Sequence, residues 1–462
     1  MKSSRTEIHS RVHGVPQLQF EDHRMTSFSG LVLFQMLFKR LGLKARLRKA
    51  FGAEDRERSY GLATIVMQLV VQGLLGFRRL RDRDYFADDP LLCRVLGVSQ
   101  LPDVGTVSRT LGAATPQSVQ NVRALSRQVV LDRLVQLDLA TVTLDFDGTV
   151  QSTRRHAEGS AVGYNKKRKG NRSYYPLLCL VSQTSQVFDM LHRAGNVHDS
   201  NGSLDFMLEC IDDIREVLPD ARIEVRLDSA FFSEKTLDLL ESLGVEYSVS
   251  VPFERFPGLR RRIERRTSGW TLIDDTTSFI ELDWRPESWG ESDPRRFIAV
   301  RKRVPTRIKG PLQLDLFEPC EHGYEFKVTV TNKKVRAGSA TQFHNGRGNA
   351  ENTIGEAKQW AGLDYVPCRR LVANQLYSCS AILAHNLARE FQMVTDEPRT
   401  QRALPGRAAA FAFSTLGTLR HLLLRRAGAL TRPAGKLTLT VAASGPARQE
   451  FERITDCLQA AA

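Results

Sequence analysis

The sequence has no Cys-x2-Cys pair, no apolar run of membrane-spanning length, and no aspartate or glutamate between residues 398 and 449. Each absence excludes something. The seven cysteines, at 93, 179, 210, 320, 368, 379 and 457, are scattered and odd in number. That argues against a structural zinc site and against a disulfide framework, and reduced thiols are the simplest reading. The stretch VMQLVVQGLLGF at 66–77 is apolar but short, so a buried helix explains it better than a span. The N-terminus is polar and lacks a signal-peptide core. These features together predict a cytoplasmic protein. No histidine or cysteine cluster offers a soft-metal site.

Positive charge is what the chain has in excess. Its formal net charge is +14 and its pI is near 9.6. Lysines and arginines release counterions from phosphates on binding, so a polyanion is the favoured partner. At 462 residues the chain predicts two or three domains.

Residues 28–41 and 59–80 read as apolar helices. Residues 84–97 and 103–112 read as a helix, a turn and a second helix, with Asp103 as N-cap after Pro102. The second helix would present Thr106, Ser108, Arg109 and Thr110, as a helix-turn-helix recognition helix would, or it belongs to a plain helical hairpin. Another helix covers 116–137, so 1–137 is expected to be a helical, DNA-binding domain.

At 139 the period changes to two. In TVTLDFD, Val142, Leu144 and Phe146 point one way, and Asp145 and Asp147 point the other. Periodicity does not choose between the two aspartates. Strands at 173–182 and 186–194, a helix at 203–218, a strand at 221–228 ending on Asp228, a helix at 233–243 and a strand at 245–251 follow. That order predicts an α/β fold with a mixed sheet and flanking helices over 138–252. Residues 253–342 alternate between strand patterns and Pro/Gly turns, and predict a β-rich insertion. Helical patterning returns over 343–397, and 398–462 reads as a basic helical C-terminal region.

Three acidic stretches stand out: TLDFDGT at 143–149, VRLDSAF at 225–231 and HNGRGNAENTIGEAK at 344–358. Two end strands on an aspartate, and the third opens a helix carrying Glu351. Asp147 or Asp145, with Asp228 and Glu351, would supply hard oxygen ligands to divalent cations, Mg2+ or Mn2+. Two such ions about 3.5–4 Å apart can activate a nucleophile and neutralise a leaving oxygen in phosphodiester cleavage. Glu351 and Lys358 are seven apart and would share a helix face, while Arg347 precedes the helix, within reach of a phosphate.

The third stretch resembles the Tyr-x2-Arg-x3-Glu-x6-Lys signature of bacterial insertion-sequence DDE transposases. Arg347, Glu351 and Lys358 match its spacing, and His344 stands where those proteins have tyrosine. DFDGT resembles their first acidic motif, which favours Asp147, and RLDSAF resembles the second, carried by Asp228. Together with GYNKKRKG and GRGNAEN these motifs look most like insertion-sequence family 1380. The resemblance covers roughly residues 85–395. It implies an RNase H-like core interrupted by the β insertion, and Arg347, Lys358 and His344 beside the carboxylates in catalysis. It implies binding of double-stranded DNA at terminal inverted repeats and at a target. It further implies pairing of two ends by a homodimer, metal-dependent cleavage and strand transfer, and a place in the bacterial cytoplasm at the nucleoid. Lys166, Lys167, Arg168, Lys169 and Arg172, in the loop after the first acidic strand, are expected to touch DNA, as are Arg109 and the arginines at 260–266. Trp284 and Trp289 are candidates to stack on a flipped base. The competing expectation is a DNA-binding repressor descended from such an enzyme, without its chemistry.

Overall fold

A computed structural model describes residues 15–18, 24–52, 55, 60–153, 156–163, 165, 168–198, 201–290, 294–303, 323–398 and 409–460. Lys166 and Lys167 lie outside the described residues. A short strand, β1 (Met25–Thr26), precedes six helices. They are α1 (Leu31–Arg40), α2 (Leu43–Phe51), α3 (Leu62–Leu75), α4 (Pro90–Leu96), α5 (Val104–Gly112) and α6 (Pro116–Leu137). Side-chain caps start several of them. Asp103 accepts the Thr106 N–H at 2.8 Å and opens α5, and Thr115 with Pro116 opens α6. In α3 every residue but Thr64 is buried, as befits a helix that is apolar all round. Among the described residues no helix is long and apolar enough to cross a membrane.

The next segment builds the sheet. Its parts are β2 (Thr141–Gly148), β3 (Gln151–Ser152), β4 (Ala161–Val162), β5 (Arg172–Tyr174), β6 (Leu177–Val181), β7 (Gln186–Leu191) and α7 (Ser203–Val217). Then come β8 (Arg222–Leu227), α8 (Glu234–Ser242), β9 (Glu246–Val251) and α9 (Pro257–Glu264). After them lie β10 (Thr271–Leu272), β11 (Thr277–Leu282), β12 (Arg296–Arg303), β13 (Tyr324–Thr331), α10 (Ala337–Asn345) and α11 (Gly348–Glu356). Nine strands form one sheet in the order β10-β11-β12-β13-β9-β8-β2-β6-β7. Strands β2, β8 and β9 run parallel, and the pairs on either side are antiparallel. The expected β insertion is therefore continuous with the central sheet. Strand β13 pairs Val328 and Val330 with Val251 and Val249, which covers the open edge of β9.

The two faces of this sheet differ. Val142, Leu144 and Phe146 join the apolar core beneath α7, α8 and α9. On the opposite face Thr143, Asp145, Glu224, Arg226 and Ser248 are buried although polar. Helix α10 lies over that polar face, and the hydrogen bonds described below account for its burial.

The remaining elements are α12 (Leu371–Thr395), β14 (Gly428–Thr431), β15 (Thr438–Val441) and α13 (Gly445–Ala460). Helix α12 packs against both α3 and α6, and one apolar cluster takes in residues from 28–129 and from 350–458. The sequence predicts a helical C-terminal region, but part of it is β structure. Strands β14 and β15 form a hairpin that pairs with β1. Thr438-Leu-Thr-Val441 alternates with β-branched residues, and Gly435 takes a φ of 78° at the turn. Between α12 and the hairpin, Arg420 is buried among backbone carbonyls. Its Nε donates to the Leu74 carbonyl at 2.6 Å and Nη2 to the Trp360 carbonyl at 2.5 Å, so the charge sits at two helix C-termini.

His385 of α12 is buried and donates from Nε2 to the Ser185 carbonyl at 3.0 Å. Burial pushes its imidazole from 6.5 down to about 3. In that window only the unfolded chain takes up the proton, so this group withdraws stability as pH falls below its unfolded pKa. The stability difference between wild type and His385→Gln should narrow by about 1.4 kcal/mol per pH unit between about pH 6 and 4. Urea unfolding at several pH values measures it; a constant difference would mean that His385 is protonated in the folded protein.

Candidate active site

Strands β2 and β8 are parallel neighbours in a register that sets Asp145 beside Arg226 and Phe146 beside Leu227. One residue further on, Asp147 is still paired with Leu178 of β6, and Asp228 follows the last residue of β8. Asp228 accepts the Ala230 N–H at 2.7 Å, which fixes its carboxylate at the start of a short turn. Asp147 is largely buried. Burial pushes its carboxyl up to about 7, Arg347 pulls it down, and the like charges of Asp228 and Glu351 push it up again. The three acidic stretches thus converge on Asp147, which feels the charges of both Asp228 and Glu351.

Arg347 stands among them. Its guanidinium lies 3.0 Å from Glu351 Oε1 and 3.5 Å from Asp147 Oδ2. Glu351 itself is exposed on the first turn of α11. Lys358 follows α11 on a π-helical turn, Ala357–Ala361. That wider turn adds a residue to the helical repeat, and such turns occur often at functional sites. Lys358 Nζ donates to Thr149 Oγ1 and to the Val150 carbonyl, both at 2.8 Å, so it holds the chain just beyond Asp147.

Asp145 has a different setting. Its two oxygens accept from Arg226 Nε and Nη2, both at 2.7 Å, and the side chains are 1% and 0% exposed. It is Asp147 that faces Asp228, Glu351 and Arg347. His344 is also committed elsewhere. It is buried in α10, with Nδ1 2.9 Å from Ser248 Oγ and Nε2 2.8 Å from Ser250 Oγ. Burial, with the charges of Lys327, Arg347 and Arg226, holds its imidazole well below the ordinary value. It joins α10 to β9, whereas the resemblance implies a place beside the carboxylates.

The expected DNA contacts divide in the same way. Arg168 and Lys169 are exposed. Arg172 turns back on its own loop, donating to Ser160 Oγ at 3.1 Å and to the Ser160 carbonyl. Arg109 is exposed on α5 and donates to Thr106 Oγ1 at 3.2 Å, but Thr110 faces the core. Within 260–266, Arg260 pairs with Glu264 and Arg262 donates to the Asp283 carbonyl. Trp284 packs against Phe256 and Phe297, with centroids 5.1 and 5.0 Å away, and Trp289 packs 4.9 Å from Phe232. Both tryptophans are half-buried against the sheet core, which gives them a structural role in this arrangement.

Arg226 went unnoticed in the sequence reading. The signal was there: RLD places Arg226 and Asp228 two apart on one strand face, as DFD places Asp145 and Asp147. Lys327 of β13 also went unnoticed. It feels the charges of Arg347 and Glu351, and its own charge is felt at His344.

Among the described residues no three histidine, cysteine, aspartate or glutamate side chains are gathered closely enough to hold a metal ion. The donor chemistry nevertheless fits a hard divalent cation. All three candidate ligands are carboxylates, and Asp147 is pushed up by two like charges that a cation would offset.

The family model for transposase DDE domain group 1 matches residues 13–462. The chain belongs to this DDE transposase family. No curated protein matches it. Among solved structures, a piggyBac transposase synaptic complex with hairpin DNA is 12% identical, with a TM-score of 0.40, over 78% of this chain and 74% of that one. A Mos1 transposase paired-end complex with the left transposon end is 14% identical, with a TM-score of 0.18, over 53% and 73%. A Mos1 mariner paired-end complex with Mn is 13% identical, with a TM-score of 0.17, over 47% and 76%.

The two aspartates of β2 should separate by stability in this DDE transposase. Asp145→Ala leaves Arg226 buried without its counter-charge and should cost about 3–5 kcal/mol. Asp147→Ala removes a largely buried carboxyl that burial and like-charged neighbours push up to about 7, so at neutral pH it should leave stability unchanged or raise it. Guanidinium unfolding of both variants tests this, and equal losses would show that the two carboxylates share one environment.

Proposed function

We propose that this chain is the transposase of an insertion sequence, most like family 1380, and that it cuts DNA at the ends of its element and joins them to a target. The observation that carries this is the convergence of Asp147, Asp228, Arg347 and Glu351 at one end of the sheet, in a chain of the DDE family with net charge +14. The strand order β7-β6-β2-β8-β9, with three parallel strands and an antiparallel pair, supports the reading of an RNase H-like core with β10–β13 as its insertion.

In this reading Asp147, Asp228 and Glu351 hold Mg2+ or Mn2+, two ions in all. Bound there, the cations supply activation of the attacking oxygen and neutralisation of the leaving one. The protein's own groups do the rest. Asp147 releases the proton that burial favours on its carboxyl. Arg347 leaves the carboxylates and turns its fork to a DNA phosphate, for which a guanidinium is suited. Lys358 keeps the exit of β2 fixed while the carboxylates exchange partners. Arg168, Lys169 and Arg109, exposed and basic, contact the backbone of double-stranded DNA at the terminal inverted repeats and target, and Lys166 and Lys167 act with them. Two copies pair the two ends in a synaptic complex, at the nucleoid of a bacterial cytoplasm.

The test is incubation of the full chain with a plasmid carrying its native flanking DNA and Mg2+. Wild type should cut at the element boundaries, and Asp228→Ala and Glu351→Ala should abolish cutting while boundary binding persists in a gel-shift assay. Binding without cutting by all three would instead assign a transposase-derived DNA-binding protein. Cutting that survives both substitutions would move the active site elsewhere.

A further inference from the structure

Arg226 touches more of the site's scaffold than any group with a direct chemical role. Its Nε and Nη2 grip Asp145 of β2, two residues before Asp147. It belongs to β8, two residues before Asp228. Nη2 also donates to Ser182 Oγ at 2.8 Å, at the end of β6. Nη1 donates to the Phe343 carbonyl at 3.1 Å, four residues before Arg347, and the guanidinium lies 5.3 Å from the Phe343 ring. One side chain thus joins the two strands that carry the aspartates to the helix that leads into Arg347 and Glu351.

Stability alone does not account for such a pair. Both ions are removed from water, and apolar residues of similar volume in such a place usually serve folding as well or better. What the pair offers is geometry. A two-point fork in register across parallel strands resists both sliding and twisting of β2 against β8. It is net neutral, so it adds no fourth negative charge beneath three carboxylates that already repel one another.

We infer that Asp145 and Arg226 are positioning residues, a buried fork that holds Asp147, Asp228 and the Arg347–Glu351 turn in one metal-binding arrangement. This rests on the proposed DDE chemistry. The pair touches neither DNA nor the reacting atoms. It acts by keeping the ligands where they must be, as hydrogen-bonded supports behind metal ligands do.

The decisive variant replaces the fork by packing, Asp145→Leu with Arg226→Met, in the full chain. Three quantities are read: thermal unfolding, binding of Mn2+ alone by electron paramagnetic resonance, and cutting of the boundary plasmid. The variant should unfold at or above the wild-type temperature. It should bind Mn2+ at least about 10-fold more weakly. Its kcat should fall about 100-fold with KM for the DNA unchanged, the mark of misplacement rather than lost binding. A stable double variant with wild-type Mn2+ affinity and kcat overturns the inference. Should it fail to fold, Arg226→Lys decides by the same readouts, since it keeps the charge and removes the fork. Intermediate losses in Mn2+ affinity and kcat support the inference, and unchanged values overturn it. A wild type that binds Mn2+ without cutting boundaries refutes the proposed activity, while the Mn2+ affinities still judge the pair. A wild type that neither binds Mn2+ nor cuts refutes both.

Discussion

The parallel register of β2 on β8 is the constraint on which the site depends. Side chains on adjacent parallel strands share a level, so a match of Asp145 to Arg226 makes neighbours of Asp147 and Asp228. Shifting either strand by one residue would turn the aspartate to the opposite face, into the apolar layer of Leu144 and Phe146. The apolar face therefore guards the register, and the polar face uses it. Two acidic groups are brought together by packing that has no electrostatic reason to do so. Burial, with the charges of Asp228 and Glu351 added to it, pushes Asp147 to about 7, and Arg347 lies against it.

The helix side of the site is held from a different direction. Glu356, five residues after Glu351, pairs with Arg389 of α12 and accepts the Leu416 N–H at 3.0 Å. Arg420 then reaches the Trp360 carbonyl at the end of the same helical stretch. Helix α11 is thus fixed at its far end by α12 and the C-terminal segment, while its exposed first turn carries Arg347 and Glu351. A rigid base with a free tip suits residues that must exchange partners when DNA arrives.

Much of this was legible in the sequence, and the losses have physical causes. Period-two alternation located β2 and β8 and brought Asp147 and Asp228 to strand ends, because each strand buries one face. The same period made Asp145 and Asp147 equivalent; what separates them is a cross-strand arginine 81 residues away, which no local pattern reports. His344 stands where the resemblance implies a catalytic neighbour of the carboxylates, yet two serines of β9 claim both ring nitrogens. The π turn at Lys358 was hidden because spacing arguments assume a regular helix. Short strands in the C-terminal region were masked by alanine- and arginine-rich surroundings. Continuity of the β insertion with the main sheet depends on pairing across the edge of β9, a tertiary fact.

The pairing of β1 with β14 has a consequence in time. Ser29 Oγ donates to the Arg426 carbonyl, 397 residues further along the chain. During synthesis at about 5–20 residues per second, that interval lasts roughly 20–80 s. For most of it α1 and α3 have emerged without the segment that closes over them, and Arg420 has yet to reach the end of α3. A nascent chain in this condition shows apolar helices to whatever is nearby, including chaperones and other copies on the same messenger. The helical core can close only once the segment around Arg426 has emerged, so the rate of synthesis governs how long each copy stays open.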